Sequence, residues 1–325
     1  MRSQRLNDIV ARAARRGGRI VFPEPRDARI LAAARQLVDE SLARPVLLGP
    51  NQQISDSAAA AGVSIEGIEQ LDPLQDAQQE VYISGYLASR PRSRRAIAKR
   101  LLRKPLYYGA AMVKAGHADA LVAGASQPTA RVIEAGKLML GLSAGVDTPS
   151  SFFLMLLPER TLIFADCALN IQPDSHTLAD IGVASARSAA NLLEEVPRVA
   201  FSSFSTASST KHESVDRVSE AVEIAQQRAP EFHFGGALQA DSALVSEIAR
   251  KKGAGDDAVA GRANVLIFPD LNSGNIAYKL VQHLAGGQAI GPICQGFAAP
   301  LCDLSRGASV DDIVAASMVT LGLSV

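Results

Sequence analysis

Cysteine is scarce in this chain. Cys167, Cys294 and Cys302 are the three present and none forms a CxxC pair, which argues against a disulfide framework and a cysteine-built zinc site; reduced cytosolic thiols are expected, and with them a cytoplasmic location. No apolar run approaches the ~20 residues of a membrane span, so no membrane partner is expected. An excess of either charge is also missing, with 33 Lys and Arg against 33 Asp and Glu. Dedicated nucleic-acid binders carry a basic excess, so nucleic acid is not expected as a partner. The five histidines, His117, His176, His212, His233 and His283, show no metal-ligand spacing with one another or with cysteine, and no metal site is expected. Neither an HExxH nor a GxSxG motif occurs, nor any repeat of fixed period.

What is there suits a folded enzyme-sized chain. Its 325 residues are 47% hydrophobic and 20% charged, enough for about two domains of ~100–200 residues. The arginine-rich start, Met1 to Gly18, is amphipathic. Asp8 interrupts it and it runs directly into an apolar segment, so a surface helix is expected rather than a targeting signal. Short, nearly continuous apolar runs follow at 19–23, 45–48, 120–123, 152–157, 162–165, 199–202 and 264–269. Helical patterns at 28–41, 105–115, 129–140, 178–194, 215–228, 275–284 and 310–319 alternate with them. Strands apolar on both faces belong to mainly parallel sheets covered by helices. The fold class is therefore α/β. A Gly/Ser/Pro-rich connector from 142 and a small-residue break at 289–300 predict one domain of residues 1–141 and 295–325, discontinuous in sequence, and a second of 142–294.

Several segments suggest chemistry. A strand ending in Pro269-Asp270 is followed by Leu-Asn-Ser-Gly-Asn and then by a helix bearing Tyr278 and Lys279. N–H groups at such a helix start favour an anion; Gly274 would admit a ligand to the backbone, and Asn272 and Asn275 offer neutral hydrogen bonds. The same residues also make an ordinary capped turn. VFPE at 21–24 and IFPD at 267–270 end two strands alike, which turn chemistry explains. Gly124 to Thr129 follows another strand, with Ser126 and Thr129 placed to cap a helix or to hold an anion. Phe201 to Thr210 is a hydroxyl-rich loop, also at a strand's carboxyl end. Ser309 and Asp312 have capping-box spacing. Ser305-Arg306-Gly307 upstream has no such plain structural purpose, and arginine suits bidentate recognition of phosphate or carboxylate.

Taken in order, ARPVLLG (43–49), YYGAAMVKAGHADALVAGA (107–125), PSSFFLM (149–155), FADCALNIQP (164–173), FPDLNSGNIAYKL (268–280) and DLSRGASVDDI (303–313) resemble the phosphate acetyltransferase (phosphotransacetylase) family over nearly the whole chain. The likeness is greatest to its short form and the ethanolamine-utilisation branch. The resemblance implies two α/β/α domains with an inter-domain cleft, similar to isocitrate and isopropylmalate dehydrogenases, in a homodimer. It implies reversible acetyl transfer between CoA and phosphate by direct thiolate attack in a ternary complex. CoA, acetyl-CoA, phosphate and acetyl phosphate would be substrates, with no cofactor. Asp312 would be the base for the CoA thiol, Arg306 would hold the acyl phosphate and steady its oxyanion, and Ser305 would bond the acyl group.

The resemblance also implies an arginine in the helix after Thr129, aligned here with Glu134. Arg131 lies one turn away on the same face and takes that role toward phosphate or CoA. A further substrate arginine belongs near the cationic run 90–104, which follows an acidic stretch at 51–89. Arg90 or Arg92 is assigned to it, with the remaining cations steering anions. A phosphate butyryl- or propionyltransferase is the nearest alternative, because pocket size separates acyl lengths by only ~1–3 kcal/mol. A metal-dependent dehydrogenase of the same fold is a more distant one.

Overall fold

In a computed structural model that describes residues 4–206 and 210–324, the chain divides into two compact units. One comprises residues up to 143 and those from 297 onward, the other residues 144–296. In chain order the first unit starts with α1 (Gln4–Ala14), β1 (Arg19–Phe22), α2 (Ala28–Asp39), β2 (Arg44–Leu48), α3 (Asn51–Ala61) and β3 (Glu69–Leu71). It continues with α4 (Gln79–Ser89), α5 (Arg95–Leu102), α6 (Pro105–Lys114), β4 (Ala120–Ala123), α7 (Thr129–Ala135) and a π-helical turn at Gly136–Leu140. The second unit holds β5 (Ser150–Leu156), β6 (Thr161–Ala165), α8 (Ser175–Leu192), β7 (Arg198–Ser202), α9 (Glu213–Arg228), β8 (His233–Leu238), α10 (Ala240–Leu244), α11 (Ser246–Lys251), β9 (Val265–Ile267), α12 (Leu271–Leu284) and β10 (Gln288–Gln295). β11 (Leu301–Asp303) and α13 (Val310–Gly322) then return to the first unit.

In the first unit the strand order is β3-β2-β1-β4-β11, and every pairing is parallel. Ile20, Val21 and Phe22 of β1 and all four residues of β4 are buried, as the continuous apolar runs require. The N-terminal segment is a helix with Leu6, Ile9, Val10 and Ala13 buried, packed on α13. The returning chain is fastened near residue 142, where Ala298 N–H donates to the Gly141 carbonyl at 3.1 Å and the Ser143 hydroxyl to the Phe297 carbonyl at 2.6 Å.

The second unit has the order β10-β5-β6-β9-β7-β8. β10, β5 and β6 pair antiparallel, while β6, β9, β7 and β8 run parallel. The first part of the expected break at 289–300 is strand instead, belonging to β10, whose register slips between Ile290 and Ile293; residues 296–300 lie outside the strands, and the border between the units falls there. Its glycine and proline hid a strand whose partner, β5, lies far upstream in the chain. Among the described residues no helix is long and apolar enough to cross a membrane.

Close packing sets some residues absolutely. Gly182 lies in α8 against the ring of Phe201 on β7, and a methyl group there would overlap the buried ring. Alanine usually gains in a helix, but here overpacking outweighs that gain. Gly182→Ala is expected to lower stability by about 1–3 kcal/mol in urea titration, with no change in slope.

Candidate active site

The end of β11 and the start of α13 gather three of the expected residues in one stretch of the first unit. Ser305, Arg306 and Gly307 are exposed in a tight turn, with Ala308 N–H bonding the Ser305 carbonyl at 3.0 Å and Gly307 N–H the Ser305 hydroxyl at 3.3 Å. Ser309 is the N-cap of α13 and Asp312 completes a full capping box. The Ser309 backbone N–H and hydroxyl both donate to Asp312 Oδ2, at 3.0 and 2.7 Å, and the Asp312 N–H returns a bond to the Ser309 hydroxyl at 3.2 Å. Both cap bonds fall on one carboxylate oxygen. Oδ1 takes no part in the cap, so the structural duty of Asp312 and an acid–base duty use different atoms.

Beside this turn lies a loop that differs from its expected role. The N–H groups of Gly124, Ala125, Ser126 and Gln127 do converge as in an anion nest, but the anion is internal. Glu24 Oε2 accepts from Gly124 and Ala125 at 2.7 and 3.1 Å, and Oε1 from the N–H groups of Ser126 and Gln127 and the Ser126 hydroxyl, each at 2.7 Å. Glu24 is buried. Ser126 is thus committed to a carboxylate of the chain itself. The acid of VFPE reaches across to another loop, which local turn chemistry does not describe.

A second buried carboxyl, Asp303, stands beside Thr129. Asp303 Oδ1 has no hydrogen-bond partner. Burial pushes this carboxyl up to about 6; Thr129 opposes the shift and the nearby Glu24 charge adds to it. Gly124 is what allows the approach: its φ is +108°, and a Cβ there would lie 2.6 Å from Asp303 Oδ1.

Two cationic candidates of this unit, Arg131 and Arg90, are engaged within it. Arg131 pairs with Glu134 at 3.0 Å on an exposed face of α7, and Glu134 also accepts from the Tyr107 hydroxyl at 2.9 Å. The Tyr107 bond first, then Arg131, holds the Glu134 carboxyl below its usual range. Arg90 sits over the Tyr86 ring, 5.1 Å from its centroid, and donates to the Lys137 carbonyl at 2.7 Å. Arg92 is exposed. One arginine that sequence reasoning passed over, Arg29, contacts the backbone of Ala125, Arg306 and Ala308. Only its place just after a strand-end turn could have singled it out.

In the second unit the helix after IFPD begins at Leu271, so Asn272 to Asn275 form its first turn rather than a loop before it. Asp270 caps it, accepting from Ser273 N–H at 2.9 Å and from the Ser273 hydroxyl at 3.0 Å. The helix start is therefore met by a carboxylate of the chain. A Cβ on Gly274 would strike the Asp166 carbonyl, so this glycine admits the chain's own backbone rather than a ligand. Asn275 donates to the Cys167 carbonyl at 3.1 Å and accepts from Lys279 at 2.8 Å. Tyr278 stacks on Phe153 with centroids 4.0 Å apart. Asn272 is exposed. Residues 207–209 of the hydroxyl-rich loop lie outside the described residues; Thr206 is buried and accepts from Gln239 N–H at 3.0 Å.

The raised Asp303 carboxyl has a consequence for stability. In the folded chain it keeps its proton up to about 6, against 3.8 ordinarily, so the native state binds more protons across that window and loses stability as pH rises through it. Asp303→Asn is expected to raise the melting temperature at pH 8, by up to ~3 kcal/mol of stability. The gain should shrink below pH 6 and vanish near pH 4 in thermal melts across that range.

Comparison with known proteins places the chain. Residues 5–321 match the family described as phosphate acetyl/butaryl transferase. The phosphate acetyltransferase of Thermoanaerobacterium thermosaccharolyticum is 43% identical over 95% of this chain and 96% of its own length. That of Clostridium acetobutylicum is 42% identical over 93% of each. Among solved structures, the EutD phosphotransacetylase from Staphylococcus aureus superposes with a TM-score of 0.91 at 36% identity, covering 98% of this chain and 97% of that one. A 4-hydroxythreonine-4-phosphate dehydrogenase from Klebsiella pneumoniae, at 12% identity and a TM-score of 0.58, shares the fold alone. By sequence along nearly its full length, the chain belongs to the phosphate acetyl/butaryl transferase family.

Proposed function

We propose that the chain is a phosphate acetyltransferase, interconverting acetyl-CoA and phosphate with acetyl phosphate and CoA. Relatives of that name, 42–43% identical over more than nine-tenths of the chain, support the acetyl group over longer acyl chains. The observation that carries the mechanism is the division of labour at Asp312, whose cap bonds both fall on Oδ2. Its other oxygen takes the proton from the CoA thiol as the sulfur attacks the acyl carbon. The C–S bond forms, the bond from carbon to the phosphate oxygen breaks, and phosphate leaves. A free thiol ionises near 8.5, so a placed carboxylate raises the thiolate fraction during attack. Arg306 steadies the negative charge on the carbonyl oxygen, and Ser305 donates a hydrogen bond to the acyl group.

Of the remaining candidates, Arg131, exposed on α7, and Asn272, exposed at the start of α12, are the ones we keep as substrate contacts. Arg90 or Arg92 supplies a further one. Ser126, Thr129, Gly274, Asn275, Tyr278 and Lys279 serve substrate binding by shaping the loops they hold. The enzyme works in the cytoplasm, without a metal or organic cofactor, as a homodimer. Ile276, Leu280 and Leu284 form an exposed apolar stripe on α12, at 56%, 53% and 80% exposure. Such a stripe at helical spacing suits a symmetric contact between two copies.

Thioester formation from CoA and acetyl, propionyl or butyryl phosphate tests the activity. Acetyl phosphate is expected to give the highest kcat/KM, and no product from any donor would refute the transferase reading. Asp312→Asn is expected to lower kcat by ~10²–10⁴-fold, and Arg306→Ala by ~10²–10³-fold. Wild-type turnover in either variant removes that residue from the chemistry. Leu280→Glu is expected to halve the mass seen by light scattering; an unchanged dimer would place the contact elsewhere.

A further inference from the structure

Three loops leave the carboxyl ends of adjacent strands in the first unit, after β1, β4 and β11, and one side chain binds all of them. Arg29, the second residue of α2, grips Asp27 with Nε at 3.0 Å and Nη2 at 2.7 Å. Nη2 also donates to the Ala125 carbonyl at 3.2 Å, and Nη1 to the carbonyls of Arg306 at 2.7 Å and Ala308 at 2.8 Å. A guanidinium has five N–H donors, and here each meets an acceptor of the chain. None is left over for a substrate anion without breaking one of these bonds.

The need for such a tether lies in the turn it holds. Ser305 to Gly307 are exposed, Gly307 adds backbone freedom, and the turn's own bonds are the two local ones at Ser305. We infer that Arg29 is a positioning residue for acyl transfer: by holding the carbonyls on both sides of Gly307 it fixes the peptide planes there, and so the direction in which the Arg306 side chain is presented. This rests on the role proposed above for Arg306. Lysine carries the same charge but radiates three donors from one point, so it cannot span Asp27, Ala125 and the two carbonyls at once.

The test is steady-state kinetics of the full chain with Arg29→Lys, Arg29→Ala, Arg306→Ala and the double Arg29→Ala, Arg306→Ala variant, each with its melting temperature. The Arg29 variants are expected to lose about ten- to hundredfold in kcat with KM for CoA and acetyl phosphate nearly unchanged. Lysine should recover little, and millimolar guanidinium should restore part of the alanine variant's turnover. The double variant should be no slower than Arg306→Ala alone, because the tether then has nothing to aim. Losses that multiply in the double variant would overturn the inference. A rise confined to KM would make Arg29 a substrate ligand instead, and full recovery by lysine would reduce its role to charge. Should Arg29→Ala melt below the assay temperature, Arg29→Lys and its KM–kcat split decide. Wild-type turnover in Arg306→Ala alone would instead strike the role of Arg306, and the aiming role with it.

Discussion

A buried carboxylate is costly unless it is hydrogen-bonded, and the strand ends of the first unit are arranged around that constraint. Glu24 draws five donors from Gly124 to Gln127, which ties the loop after β4 to the end of β1. Removing one side of a buried charged arrangement costs on the order of 3–5 kcal/mol, so loop and acid hold each other in place. Gly124 is required because its positive φ brings the backbone against Asp303. Asp303 is the exception in the group, with one oxygen unpartnered. The next residue, Leu304, is held by its N–H bond to the Ala123 carbonyl at 2.6 Å.

Arg29 is the donor counterpart of Glu24. One saturates an acid with backbone N–H groups; the other saturates a guanidinium with backbone carbonyls. Together they tie the loops after β1, β4 and β11 to one another through hydrogen bonds to backbone. Asp312 is economical in the same sense. Its capping box stabilises the start of α13, and the cap bonds both fall on one oxygen, so the cap does not use the other.

The α/β class, most of the long helices and most of the buried strands were legible because they rest on local periodicity, whereas the buried strands β8 and β11 were not expected. β4, at Ala120–Ala123, is bounded where its apolar run ends. The capping box at Ser309 and Asp312 was legible for the same reason, since both partners lie within one turn. β10 was not, because its identity depends on pairing with β5 while its own composition reads as a break. The helix after Asp270 was expected to begin at residue 275 and begins at Leu271, because Asn, Ser and Gly lower helix propensity where packing against Asp166 and Cys167 restores it.

The candidate site residues divide along the same line. Ser305, Arg306 and Asp312 belong to one short segment, and their motif, together with the likeness of the whole chain, identified the family without coordinates. What the sequence could not determine is where hydrogen bonds close across long separations. Gly274 and Ser126 looked open to a ligand, but the occupants are the Asp166 carbonyl and the Glu24 carboxylate. Arg29, 277 residues from Arg306, carried no signal of that contact beyond its place after a strand-end turn. Helix periodicity and capping are properties of neighbours in the chain, whereas the satisfaction of a buried charge is a property of neighbours in space; tertiary structure alone decides the second.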